Sequence, residues 1–137
     1  MSRKKVLIVD DEPNVLTYLE TLLADAGFET CTAEDGVAGL EVARRERPDV
    51  IALDINMPRM SGLRMYRELR EDEALAGTAV IVVTAVTGYG DNPEEFRKFL
   101  ASRPHLPEPE GFVAKPIDAE EFVALVRKVA SAGRPAP

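Results

Sequence analysis

The chain of 137 residues is 45% hydrophobic, enough apolar material for one domain with a single shared core. Its formal charge of −7 argues against broad electrostatic capture of nucleic acid or anionic lipid, both of which need a basic surface, and suits a site for cations. The lone cysteine, Cys31, excludes an intrachain disulfide and a zinc site built from thiolates.

The apolar run 6–9 has strand length and no polar alternation, the pattern of a parallel strand buried on both faces. Asp10 and Asp11 end it well before signal-peptide length. Val15, Leu16, Leu19, Leu22, Leu23 and Ala26 then recur at intervals of three and four and predict a first helix, with Pro13 in its first turn and Gly27 able to stop it. A weaker run at 28–33, containing Cys31, predicts a strand nearer a sheet edge. A second helix is expected over 36–45, ahead of Pro48, and a third strand at 50–53. After Ser61, the spacing of Leu63, Met65, Tyr66 and Leu69 predicts a third helix, and 79–83 a fourth strand. In Asn92-Pro93-Glu94-Glu95 and Asp118-Ala119-Glu120-Glu121 an acid follows a capping side chain by three residues, so helices are expected over 93–101 and 119–130, with a fifth strand at 111–114 between them. No run approaches the length that spans a bilayer, and a soluble cytoplasmic protein is expected.

Strands alternating with helices predict an α/β fold with a doubly wound parallel sheet of five strands, whose ligands bind outside the carboxyl ends of the strands. Asp10, Asp11 and Glu12 follow the first strand and Asp54 the third. Carboxylates gathered in one crevice repel each other unless a cation lies among them. Magnesium suits such a site, because it favours oxygen ligands and shares phosphate oxygens. The fourth strand runs into Thr84 and the fifth into Lys115-Pro116, adding a hydroxyl and an ammonium. Together these groups suit phosphoryl transfer to a carboxylate. Each alone has an ordinary reading: Asp10 and Asp11 as helix caps, Asp54 as a turn residue, Thr84 as a strand residue and Lys115 as a solvated charge.

Four segments, Ile8-Val9-Asp10-Asp11-Glu12-Pro13, Leu53-Asp54-Ile55-Asn56-Met57-Pro58, Val83-Thr84-Ala85 and Ala114-Lys115-Pro116-Ile117, resemble the response-regulator receiver family of two-component signalling, including chemotaxis regulators. The resemblance implies a flavodoxin-like sheet with five helices, a receiver domain over 1–131 and a tail or linker stump at 132–137. It implies that Asp54 accepts the phosphoryl group and that Asp11 and Asp54 ligate Mg2+, with Asp10 holding a bound water and the backbone carbonyl of Asn56 a further ligand. Thr84 and Lys115 would bind the phosphoryl group, and Phe112 would be the aromatic switch, although a core role for Phe112 is as natural. The implied donor is a sensor histidine kinase or a phosphotransfer protein, the implied output a protein target, with no nucleic acid or membrane engaged through this domain.

An enzyme of the haloacid-dehalogenase type would also use an aspartyl phosphate, but it needs a second acid two residues after the nucleophile, and Asn56 stands there. A receiver-like interaction module that takes no phosphate is the other alternative, and its mark would be the loss of an acid or lysine that this chain retains. Val86, two residues after Thr84, is apolar where a polar side chain would orient attacking water. The stretch from Thr84 to Lys115 is longer than usual in receivers, and the extra residues must lie within 87–110. There Phe96, Phe99 and Leu100 are expected to pack a helix on the sheet, while Pro104, Pro107 and Pro109 make a loop that covers or extends the output face. His105, set among these prolines, reads as an exposed loop residue.

Overall fold

The computed structural model of the protein describes residues 4–55, 57, 62–85, 98 and 101–132. Strands β1 (Lys5–Val9), β2 (Glu29–Ala33), β3 (Val50–Asp54), β4 (Ala79–Ala85) and β5 (Gly111–Lys115) form one parallel sheet in the order β2-β1-β3-β4-β5. The apolar runs without alternation are its inner strands: all of β3 and Val6 to Val9 of β1 are buried, because helices on both faces leave no solvent side. The weaker run forms an edge strand, as its composition predicts, and β5 forms the other edge without one buried residue. β3, β4 and β5 run one or two residues further than expected and take in Asp54, Thr84 and Lys115.

The helices are α1 (Pro13–Asp25), α2 (Gly36–Glu46), α3 (Gly62–Glu71) and α4 (Ala119–Ala132). Four complete helices thus stand among the described residues where five are expected. The one expected at 93–101 lies largely outside them, although Lys98 and Ala101 are helical and the Ser102 N–H donates to the Lys98 carbonyl at 3.0 Å. Phe96, Phe99 and Leu100, expected to pack it on the sheet, lie outside the described residues. Gly27 follows α1 with φ 96°, a conformation that suits glycine. The Asp118 carboxylate accepts the Glu121 N–H at 3.0 Å, completing the cap expected for α4.

Alternate residues of the inner strands feed two cores. Leu7, Val9, Ile51, Leu53, Val80 and Val82 pack with Leu40 of α2 and Met65, Tyr66 and Leu69 of α3. Val6, Ile8, Val50, Ala52 and Ile81 pack with Leu16, Leu19 and Leu23 of α1 and Phe122 and Val126 of α4. The strand order reverses between β1 and β3, so a crevice opens at their carboxyl ends, where Asp10 and Asp54 stand. No described helix is long and apolar enough to cross a membrane.

Candidate functional site

Asp10 and Asp54 are neighbours because β1 and β3 pair in parallel with Val9 opposite Leu53. Each is only 2% exposed, so their mutual repulsion is poorly screened. Lys115 answers it: Nζ donates to Asp10 Oδ2 at 3.1 Å and to Asp54 Oδ2 at 3.3 Å. β5 delivers this lysine by pairing with β4, Ala85 opposite Lys115. Burial is the largest single influence on the amine and favours its neutral form, but the charges of Asp54 and Asp10 and their hydrogen bonds together outweigh it. The ammonium pKa is therefore raised above its ordinary value.

The other oxygen of Asp10, Oδ1, accepts the Glu12 N–H at 2.9 Å, and the Asp10 N–H donates to the Ala33 carbonyl at 3.2 Å. Glu12, not Asp10 or Asp11, occupies the N-cap position of α1, and its side chain makes no capping bond. One carboxylate oxygen each from Asp10, Asp11 and Glu12 lies within 4.8 Å of the others. A donor set made of carboxylate oxygens, with no thiolate or imidazole, fits a hard divalent cation such as Mg2+.

Thr84 ends the same rim, 2% exposed and opposite Ala114 of β5. Gly62 opens α3 directly against the end of β3: a Cβ there would lie 2.3 Å from Ile55 Cα and 2.5 Å from the Asp54 carbonyl oxygen. Backbone atoms have no rotamer with which to yield, so this approach requires glycine.

Of the residues singled out from sequence, Asp10, Asp54 and Lys115 meet in hydrogen-bonded contact, and Asp11 joins from the exposed side. Phe112 is 45% exposed on the edge strand, which overturns the core reading for it. His105 is exposed as expected, yet its ring Nε2 lies 3.1 Å from Glu71 Oε2. Asn56 and Val86 lie outside the described residues. The described part of the proline-rich loop does not run over the rim that holds Asp54: Leu106 is buried, and the bonds of Pro107, Glu108 and Glu110 go to Tyr66 and Arg70 of α3 and to Val80 at the start of β4. Sequence reasoning named Glu12 but did not assign it to the site, and it missed Gly62, whose only signal is a glycine at the first position of an amphipathic segment.

The model for the response regulator receiver domain matches residues 6–127. Among curated proteins the chain is 32% identical over 124 residues to the polar-differentiation response regulator DivK of Brucella anthropi, covering 90% of this chain and 94% of that protein. Among solved structures it resembles the chemotaxis protein CheY4 of Vibrio cholerae, at 28% identity and a TM-score of 0.79 over 93% of this chain and 99% of that one. The receiver domain of the Francisella response regulator 1452 is similar at 25% identity and a TM-score of 0.78, over 95% and 98% of the two chains.

Proposed function

Because the chain belongs to the response regulator receiver domain family, whose members are signalling switches, we propose that Asp54 is the residue on which this one takes its phosphoryl group. The observation that carries the reading is the Lys115 ammonium held between the buried Asp54 and Asp10, beside the oxygens of Asp11 and Glu12.

In this reading an Asp54 oxygen attacks phosphorus, the bond from phosphorus to the donor's leaving atom breaks, and an acyl phosphate forms on the carboxylate. For a phosphohistidine donor the leaving group is the imidazole, which departs with a proton from solvent. Asp10, Asp11, Asp54 and the carbonyl of Asn56 would hold Mg2+, which when bound neutralises phosphoryl oxygens as charge develops on them. Lys115 trades its bond to Asp54 for one to the phosphoryl group, and Thr84 donates its hydroxyl to another phosphoryl oxygen. Phe112, on the strand between Lys115 and the proline-rich loop, reports the change at the outer edge. The domain catalyses only its own phosphorylation and dephosphorylation. Its donor is a histidine kinase or phosphotransfer protein, its output a protein partner and its compartment the cytoplasm. The switch unit is the receiver domain expected over 1–131, which α4 extends to Ala132.

Asp54→Asn keeps the shape of the site and removes the nucleophile. With Mg2+ and acetyl phosphate, wild type is expected to gain an acid-labile phosphate and the variant none; equal labelling of the two would refute the assignment.

A further inference from the structure

Strand β5 carries Lys115 to the site, yet its own side chains say little about register. None of its residues is fully buried, Phe112 and Ala114 face outward, Gly111 has no side chain, and Val113 is its one side chain packed against the core. A strand so weakly patterned can slip: one residue would turn Lys115 to the opposite face, and two would carry it roughly 6.6 Å along the sheet. Either slip breaks a contact that needs Nζ within 3.3 Å of Asp54. Holding that contact requires a restraint on the register of the strand.

One residue before β5, the restraint is present. The Glu110 N–H donates to the Val80 carbonyl at 2.9 Å, and Glu110 Oε2 accepts the Val80 N–H at 3.2 Å. The same oxygen accepts Arg70 Nη2 at 2.8 Å, and Oε1 accepts it at 3.2 Å. Arg70 cannot follow a slip. Its side chain is 2% exposed, with Nε bonded to the Tyr66 hydroxyl at 3.2 Å and Nη1 to the carbonyls of Thr78 at 2.8 Å and Ala76 at 3.1 Å. Nη2 also reaches the Glu108 carbonyl at 3.4 Å, and the guanidinium lies 5.1 Å from the centre of the Tyr66 ring. A buried guanidinium keeps such a position only while all its donors are used, so it is a fixed post in the fold.

Resting on the reading of Asp54 as phospho-acceptor, we propose that Arg70 and Glu110 are positioning residues that lock the register of β5 and thereby hold Lys115 against Asp54 and Asp10 from the far end of the strand.

Glu110→Gln tests it, because the amide keeps the length and the acceptor for the Val80 N–H while losing the charge that grips Arg70. Three measurements are made on the variant: amide hydrogen exchange, Mg2+ affinity by calorimetry, and the initial rate of labelling by acetyl phosphate at saturating Mg2+. A loosened β5 should exchange faster across Gly111–Lys115, with Lys5–Val9 and Val50–Asp54 unchanged. The displaced Lys115 no longer competes for the carboxylates, so Mg2+ should bind roughly threefold more tightly, while labelling slows by roughly three- to tenfold. General damage to the fold would instead weaken Mg2+ binding and slow labelling together. Arg70→Met should move all three readings the same way and further; if it fails to fold, Glu110→Gln still decides. Unchanged exchange in β5, unchanged or weaker Mg2+ binding, or unchanged labelling each overturns the lock. Absence of labelling in the wild type would instead overturn the acceptor assignment, and the exchange and Mg2+ measurements would then decide the lock without it.

Discussion

Asp10 shows how much can be asked of one buried side chain. One oxygen holds the Glu12 N–H, the other holds Lys115, and the backbone N–H is tied to the end of β2. Such a residue is oriented before any phosphoryl group arrives, which is how a transfer site avoids reorganising in the transition state. Gly62 makes a comparable contribution by what it lacks. Placing a methyl group 2.5 Å from the Asp54 carbonyl forces α3 away from β3, so Gly62→Ala is expected to destabilise the fold by about 1–3 kcal/mol. Urea unfolding measures this, and a variant as stable as wild type would mean that α3 yields freely. Cys31, by contrast, lies in β2 away from the site: burial raises its thiol pKa to about 11, which leaves it protonated near neutral pH, and its Sγ donates to the Val6 carbonyl at 3.9 Å.

Among the elements, α3 has two ends with different tasks. Its first residue abuts the end of β3, while its last turns anchor the segment before β5 through Tyr66, Arg70 and Glu71. The Tyr66 ring is fully buried, and its hydroxyl donates to the Pro107 carbonyl while accepting from Arg70 Nε. Burial, the largest influence on the phenol, raises its pKa against the opposing effect of Arg70, so the hydroxyl keeps its proton. Tyr66→Phe leaves Arg70 Nε buried without that acceptor and is expected to cost about 1–3 kcal/mol. Denaturant unfolding would report the loss, accompanied by faster exchange over residues 103–110; an unchanged midpoint would show that water replaces the hydroxyl. The surface acids that close α3 do less, since Asp72 is paired with Arg44 at 3.1 Å on a solvated surface where such pairs contribute little.

For the molecule as a whole, a net charge of −7 and a knot of carboxylates at one pole lead us to expect that folding responds to divalent cations. A cation that binds the folded state alone stabilises it, by about 2.7 kcal/mol at a hundredfold excess over its dissociation constant. Mg2+ is therefore expected to raise the urea midpoint of the wild type, and to do so less in Asp11→Ala, which loses an anionic ligand. Equal Mg2+ stabilisation of both proteins would remove Asp11 from the cation site. The proline-rich segment ties opposite ends of the molecule together. Its described residues join α3 to the starts of β4 and β5, at the end of the sheet away from Asp54, and so connect that pole to the one that holds Asp54 through the length of one edge strand.

The elements that can be read from sequence are those fixed by local rules. The apolar runs of β1, β3 and β4, the threefold and fourfold spacing in α1 and α3, and the capping acid at Asp118 each express a period or a bond within a few residues. With the parallel topology that alternation implies, they also predict that Asp10, Asp54, Thr84 and Lys115 share one rim, since each follows or ends a strand. The tertiary structure alone decided that Lys115 bridges Asp10 and Asp54, that Gly62 must lack a side chain, that Phe112 lies outward, and that Arg70 grips Glu110 across 40 positions of sequence. Those facts depend on distances between strands and helices far apart in the chain. Sequence periodicity carries no record of such distances, because the packing of two cores on one sheet sets them.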